Sequence, residues 1–165
     1  MENSIRSITL LAAIILTGLS AGFFYAWAVS VIPGTKKVAD LTYLETMQSI
    51  NRAILNPAFF VVFMGCLVLL AISTFQQYRT GLPFWLLGGA TLTYLIGTFG
   101  VTALGNVPLN DSLDVLDLTD LAAGQIAGIR KDYETPWNRW HLIRTVFSVL
   151  SFILALLAAF MPAKI

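Results

Sequence analysis

The sequence predicts an all-α protein: a four-helix transmembrane bundle with short helices in the two long loops on one membrane face. Three observations predict it. Residues 7–32, 57–75, 82–105 and 145–161 contain no charged side chain, and about 20 mostly apolar residues cover a hydrocarbon core about 30 Å thick. Only 12% of the 165 residues are charged and the mean hydropathy is +0.77, far from what a soluble domain this short needs on its surface. Nearly all the polar sequence falls in residues 33–56 and 106–144, which four spans place on the same side. Backbone groups in lipid find no water, so the spans must be helices. Residues 1–165 are read as a single integral membrane domain.

The first span opens after Arg6 and ends in Phe23, Phe24, Tyr25 and Trp27. Its apolar run exceeds the 7–15 residues of a signal-peptide core, and aromatic rings suit the interfacial end of a retained span. Pro33-Gly34 closes it as a turn signal. In the first loop Val38, Leu41, Leu44, Met47 or Gln48, Asn51 and Leu55 recur at the spacing of one helix face, with Asp40 as the expected cap. Asn56-Pro57 then opens the second span, with proline at the first helical position. Cys66, the single cysteine, falls in mid-span and is read as a small apolar side chain. Gly18 with Gly22 and the ridge Gly89, Thr93, Gly97 are expected to let helices approach closely.

The second loop carries Asp111, Asp114, Asp117 and Asp120 at every third residue. This reads as a short helix or turn with a solvated edge; it lacks the glycine and terminal glutamate of a calcium-binding EF-hand loop. Orientation has two readings. Seven of the ten basic residues lie on the long-loop side, and Arg6, Arg79 and Lys164 on the other, which by count places the loops in the cytoplasm. Those loops also hold every acid but Glu2, and several of their basic residues are candidates for burial in a site. On that ground the termini are placed in the cytoplasm. The net charge of +1 offers no case for a nucleic-acid partner.

The segment from Pro136 to Thr145 gathers two tryptophans, the only histidine and an arginine, with Pro136 read as the first turn of the fourth helix. Trp137, His141 and Arg144 share a helix face, and Trp140 stands one turn before Arg144. A charged side chain at a helix centre costs about 2.5–3.5 kcal/mol on insertion, so Arg144 should lie at the boundary or point inward. Asn106 and Asn110 follow the third span on the same membrane side, and Gln48 with Asn51 lies on the loop helix. Singly these are anchors and helix caps; together they converge. No span carries an acid or histidine at its middle, which argues against a proton-coupled carrier.

These residues also carry a resemblance. Ala21-Gly22-Phe23-Phe24 ending near Ser30 and Pro33, Met47-Gln48-Ser49-Ile50-Asn51 followed by Asn56-Pro57, Asn106-Val107-Pro108-Leu109-Asn110, and Trp137 with Trp140, Arg144 and Thr145 resemble the anthrone oxygenase-like family of small four-span membrane proteins. The resemblance implies a cofactor-independent oxygenase, without metal or flavin, that converts tricyclic phenolic ketones to anthraquinones. His141 departs from the pattern, where an asparagine is common. The expected chemistry has His141 as the base, Arg144, Asn106 and Asn110 stabilising the oxyanion, and Gln48, Asn51, Trp137 and Trp140 holding the flat substrate. The partners expected are a lipid bilayer, in a multi-pass arrangement in the plasma (inner) membrane, and a hydrophobic aromatic small molecule; a homo-oligomer is compatible with both. The competing class is a non-enzymatic membrane protein that binds a lipid, a small hydrophobic ligand or a protein partner.

Overall fold

The computed structural model describes residues 2–162, so Lys164 lies outside the described residues. Four helices are long and apolar enough to cross a bilayer: α1 (Ser4–Thr35), α3 (Pro57–Gln76), α4 (Leu82–Asp114) and α5 (Ala123–Phe160). A fifth, α2 (Asp40–Ala53), lies between the first two spans. Between 22% and 33% of each apolar window is buried inside the protein. The remaining apolar surface, such as Ile8, Leu11, Ile15 and Leu19 along α1, requires an apolar solvent, and a bilayer supplies it.

The second long loop is mostly helix. α4 runs on past Gly105 to Asp114, and α5 begins at Ala123 rather than at Pro136. Pro136 therefore sits in the interior of α5, not in its first turn. Hydropathy misplaced these ends because the extensions are amphipathic. Ile126, Tyr133 and Trp137 are buried at helical spacing while Lys131 and Asp132 between them are exposed. Asp117, in the connection between α4 and α5, accepts from the Thr119 backbone N–H and hydroxyl. Those bonds hold its carboxyl below the usual carboxylate range.

Two cores result. In the membrane-level core Phe24, Phe63, Cys66, Leu70, Leu87 and Tyr94 pack between the spans. Hydrogen bonds cross it: Tyr94 donates to the Phe63 carbonyl, Cys66 to Thr17 and Ser151 to the Ala90 carbonyl. The second core packs α2 on the extended ends of α4 and α5 through Tyr43, Leu44, Met47, Leu113 and Tyr133. Asp40 does not cap α2. The N-cap is Ala39, and Asp40 accepts from Arg130 at 2.9 Å. Arg130 also donates to the Val38, Thr35 and Lys36 carbonyls and to Glu134, tying the end of α1 to α5. Its guanidinium lies 4.5 Å over the Tyr43 ring. Burial, reinforced by the Glu134 charge, pushes the Tyr43 hydroxyl above the ordinary phenol range. Asn56 does cap α3, accepting from the Phe59 N–H at 3.0 Å, with Pro57 following it.

Two turns widen to π geometry immediately before a proline. The Ile32 N–H reaches the Trp27 carbonyl ahead of Pro33, and the Val107 N–H reaches the Thr102 carbonyl ahead of Pro108. A proline ring crowds the carbonyl one turn back and donates no hydrogen bond, and a wider turn relieves that crowding.

The glycines divide. A Cβ on Gly97 would overlap the Phe147 ring, and one on Gly105 would lie 2.7 Å from the Trp140 ring. Gly18 meets Phe152 at 3.1 Å, whereas Gly22 faces open space and makes no helix contact, contrary to its expected pairing with Gly18. Gly97→Ala should cost about 1–3 kcal/mol by forcing α4 from α5. Thermal unfolding in detergent checks this, and Phe147→Ala in the same chain should recover part of the loss.

Candidate functional site

Between the two cores lies a cavity of ≈ 360 Å³ to which every helix contributes. Phe23, Phe24 and Trp27 of α1 and Phe59 and Phe63 of α3 give it aromatic walls. Ile50, Asn51 and Ile54 at the end of α2 cover it, α4 adds Phe99, Thr102 and Asn110, and α5 adds Trp137 and Arg144. The volume is at the lower end of small-molecule sites, and the lining is apolar with a few polar groups, as such sites are.

Arg144 is the one buried cation on this wall, 8% exposed. Among the described residues no carboxylate pairs with it. Its guanidinium lies 4.7 Å over the Phe24 ring and 5.2 Å over Trp137. Desolvated contacts of this kind contribute about 2 kcal/mol or more each. Arg144 Nη1 points to Thr102 Oγ1 at 3.4 Å, while Nε and Nη2 donate to His141 Nδ1 at 3.2 and 3.0 Å. Guanidinium carries five N–H donors, so these three bonds leave donor capacity on the cavity side, where Asp114 of the same lining is paired with Arg52 rather than with Arg144.

His141 is fully buried and stacks on Trp137 at 5.1 Å with an interplanar angle of 5°. Its Nε2 lies 3.1 Å from the Phe24 carbonyl oxygen. A carbonyl only accepts, so Nε2 carries the proton and Nδ1 presents its lone pair to Arg144. The ring is thus a neutral bridge from the α1 backbone to the guanidinium. Both nitrogens are engaged, and the ring is not part of the cavity wall.

A second polar group closes the cap side. Asn51 donates to Tyr133 Oη at 3.1 Å, Tyr133 donates to Asn110 Oδ1 at 3.0 Å, and Trp137 Nε1 donates to the same oxygen at 2.8 Å. The amides of α2 and α4 are thereby fixed by α5. Tyr133, Thr102, Phe24 and Trp27 were not among the site residues read from sequence. The face that repeats Tyr133, Trp137, His141 and Arg144 at four, four and three residues is the signal that finds Tyr133.

Of the residues predicted for the site, Arg144, Asn110, Asn51 and Trp137 meet at the cavity. Asn106 is fully buried and donates to the Trp137 carbonyl at 3.2 Å, with its Oδ1 unpartnered; like His141 it stands outside the cavity lining. Gln48 is elsewhere, donating to the Leu113 and Leu116 carbonyls at the end of α4. Orphan carbonyls at a helix end attract such an amide. Trp140 is 38% exposed and covers Gly105 from outside; the ring beside Arg144 is Trp137, not Trp140. The four aspartates do not converge either. Asp114 pairs with Arg52, and Asp117 is used by Thr119.

No curated protein and no solved structure matches the chain. The family model described as anthrone oxygenase matches residues 47–154, from the second half of α2 through most of α5, and so takes in Asn51, Asn110, Trp137 and Arg144. With more than half of its length matched, the chain belongs to the anthrone oxygenase family.

Proposed function

We propose that the cavity oxidises a polycyclic phenolic ketone of the anthrone type with dioxygen, using Arg144 to stabilise the substrate's enolate. The observation that carries this reading is the buried guanidinium on the wall of an aromatic cavity, paired with no carboxylate among the described residues. An uncompensated charge inside a membrane protein is costly and marks function. A flat aromatic oxyanion supplies both the missing charge and the surface that Phe24 and Trp137 match.

The chemistry balances without a cofactor. Water takes a proton from the ring carbon between the two arenes, and the resulting enolate is held at oxygen by the guanidinium. The enolate gives an electron to dioxygen, the radical pair joins as a peroxide anion on that carbon, the proton taken by water returns to make the hydroperoxide, and the carbon's remaining hydrogen leaves with the terminal hydroxyl as water. One oxygen atom ends as the new carbonyl and the other as water, with all electrons drawn from the substrate and dioxygen. Donors fixed where the negative charge develops contribute on the order of 10²-fold or more. Asn110 is already engaged by Tyr133 and Trp137; it shapes the cap side of the cavity.

In this reading His141 is a positioning residue. It offers an acceptor to Arg144 and a donor to the Phe24 carbonyl. An asparagine, common at this position in the family that the chain resembles, offers the same pair through Oδ1 and Nδ2. A base role is not shared by the two side chains; a bridging role is.

Purified protein given anthrone and dioxygen should form anthraquinone faster than protein-free buffer, followed by oxygen uptake and quinone absorbance. Arg144→Gln should lower kcat/KM about 10²-fold or more, and equal rates in the variant and the parent exclude the guanidinium from the chemistry. His141→Asn should stay within about threefold of the parent, whereas His141→Ala should lose on the order of tenfold or more, since the preserved hydrogen-bond pattern separates them. A loss in His141→Asn as deep as in His141→Ala would restore the imidazole to a role as base.

A further inference from the structure

The cavity has a charged cap end and an apolar side. At the cap end Arg52, Asp111 and Asp114 line it, and the Arg52–Asp114 ion pair ties α2 to α4 there. Along the side where α3 faces α4 the lining is Phe60 and Met64 of α3 with Ala103 and Val107 of α4. Phe60, Met64 and Val107 are 44%, 41% and 41% exposed, so these lining side chains also form the outer surface. α3 packs along Leu82–Thr93 of α4 and has little contact with it beyond Gly100. A cleft between the two spans leads from the cavity to the outside.

The depth of that cleft decides what it opens into. α3 has 20 residues, about 30 Å of helix, enough to cover the hydrocarbon core and no more. Met64 is seven residues beyond Pro57, so it stands about 10 Å along the span. Met64 thus stands at the depth of acyl chains, with Phe60 one turn nearer the headgroups.

We propose that the cleft between α3 and α4 is a lateral portal through which a neutral, lipid-dissolved polycyclic phenol passes between the bilayer and Arg144. The proposal rests on the enolate-binding reading above for the identity of its ligand. A neutral flat ring system partitions into the hydrocarbon, meets only Phe60, Met64, Ala103 and Val107 on entry, and acquires its charge after reaching the guanidinium. The cap end asks the same molecule to leave the bilayer and pass an ion pair. Met64 suits such a passage, because an unbranched thioether side chain changes shape readily.

A gate residue acts on the barrier between the inside and outside states, so obstruction slows entry and exit together and spares affinity. A lost contact does the reverse, raising the release rate. The test uses 1,8-dihydroxyanthraquinone in vesicles carrying the protein, with tryptophan quenching as the readout in stopped flow. Ala103→Trp and Met64→Trp, one on each wall, should each slow association and dissociation together, at least tenfold. Unchanged rates in both variants, or faster release with weakened affinity, would overturn the portal. A parent protein that exchanges the probe but forms no quinone from anthrone sinks the oxygenase reading and leaves the portal standing. Turnover in the parent with unaltered exchange rates in both variants does the opposite. No quenching in the parent overturns both.

Discussion

The bond on which the site depends is the one between the Arg144 guanidinium and the His141 ring. A cation buried at this level and stripped of water is held in place by a neutral acceptor at 3.0 Å and two aromatic faces. Were the acceptor a carboxylate, the charge would be neutralised internally and the cavity would hold no attraction for an anion. A neutral imidazole orients the guanidinium without cancelling it. The other ring nitrogen is anchored to the Phe24 carbonyl, and Trp137 lies flat against the ring. The guanidinium is therefore braced from α1 as well as from its own helix. Burial of a charge is unfavourable, and the arrangement converts that cost into affinity for whatever completes the pair.

That arrangement requires the two-core construction. The membrane-level core sets α1 against α5, which brings the Phe24 carbonyl to His141. The upper core lowers α2 onto α4 and α5, which brings Asn51 and Asn110 to Tyr133. Arg130 stands at the junction, tying the chain after α1 to α5 through carbonyls and two carboxylates. The cavity is the space that neither core fills. Of its aromatic walls Phe24, Phe59 and Phe63 belong to the membrane core and Trp27 and Trp137 to the upper one, so both cores shape it.

The four apolar spans were legible because lipid imposes one rule on all of them, and residues 57–75 and the start at Leu82 lie within a residue of the helices observed. The α2 helix was legible from its periodic apolar face, with Leu44 and Met47 buried as the spacing requires. The lengths of α4 and α5 were not, since hydropathy reports where a helix meets lipid and is silent where it continues into water. That one misreading also put Pro136 at a helix start and Tyr133 in a loop. For the site, helical spacing placed Trp137, His141 and Arg144 on one face correctly. It could not say which polar groups would be used up by neighbouring backbone. Gln48 is taken by carbonyls of α4 and His141 by the carbonyl of Phe24, and such pairings between distant segments leave no periodicity in the chain.

The prolines connect the backbone to the cavity. Pro33 and Pro108 each come directly after a π turn, and those turns begin at Trp27 and Thr102, both on the cavity wall. A regular α-helix would carry the i→i−4 bond through these points, which proline forbids. The wider turn admits one extra residue and rotates the helical segment after it relative to the segment before it. On α4 that lets Thr102 and Ala103 face the cavity from the span while Asn110 faces it from the extension. Pro33 and Pro108 are absent from the cavity lining, yet Pro108 fixes the register in which both parts of α4 present their side chains to it, while α1 lines it only up to Trp27.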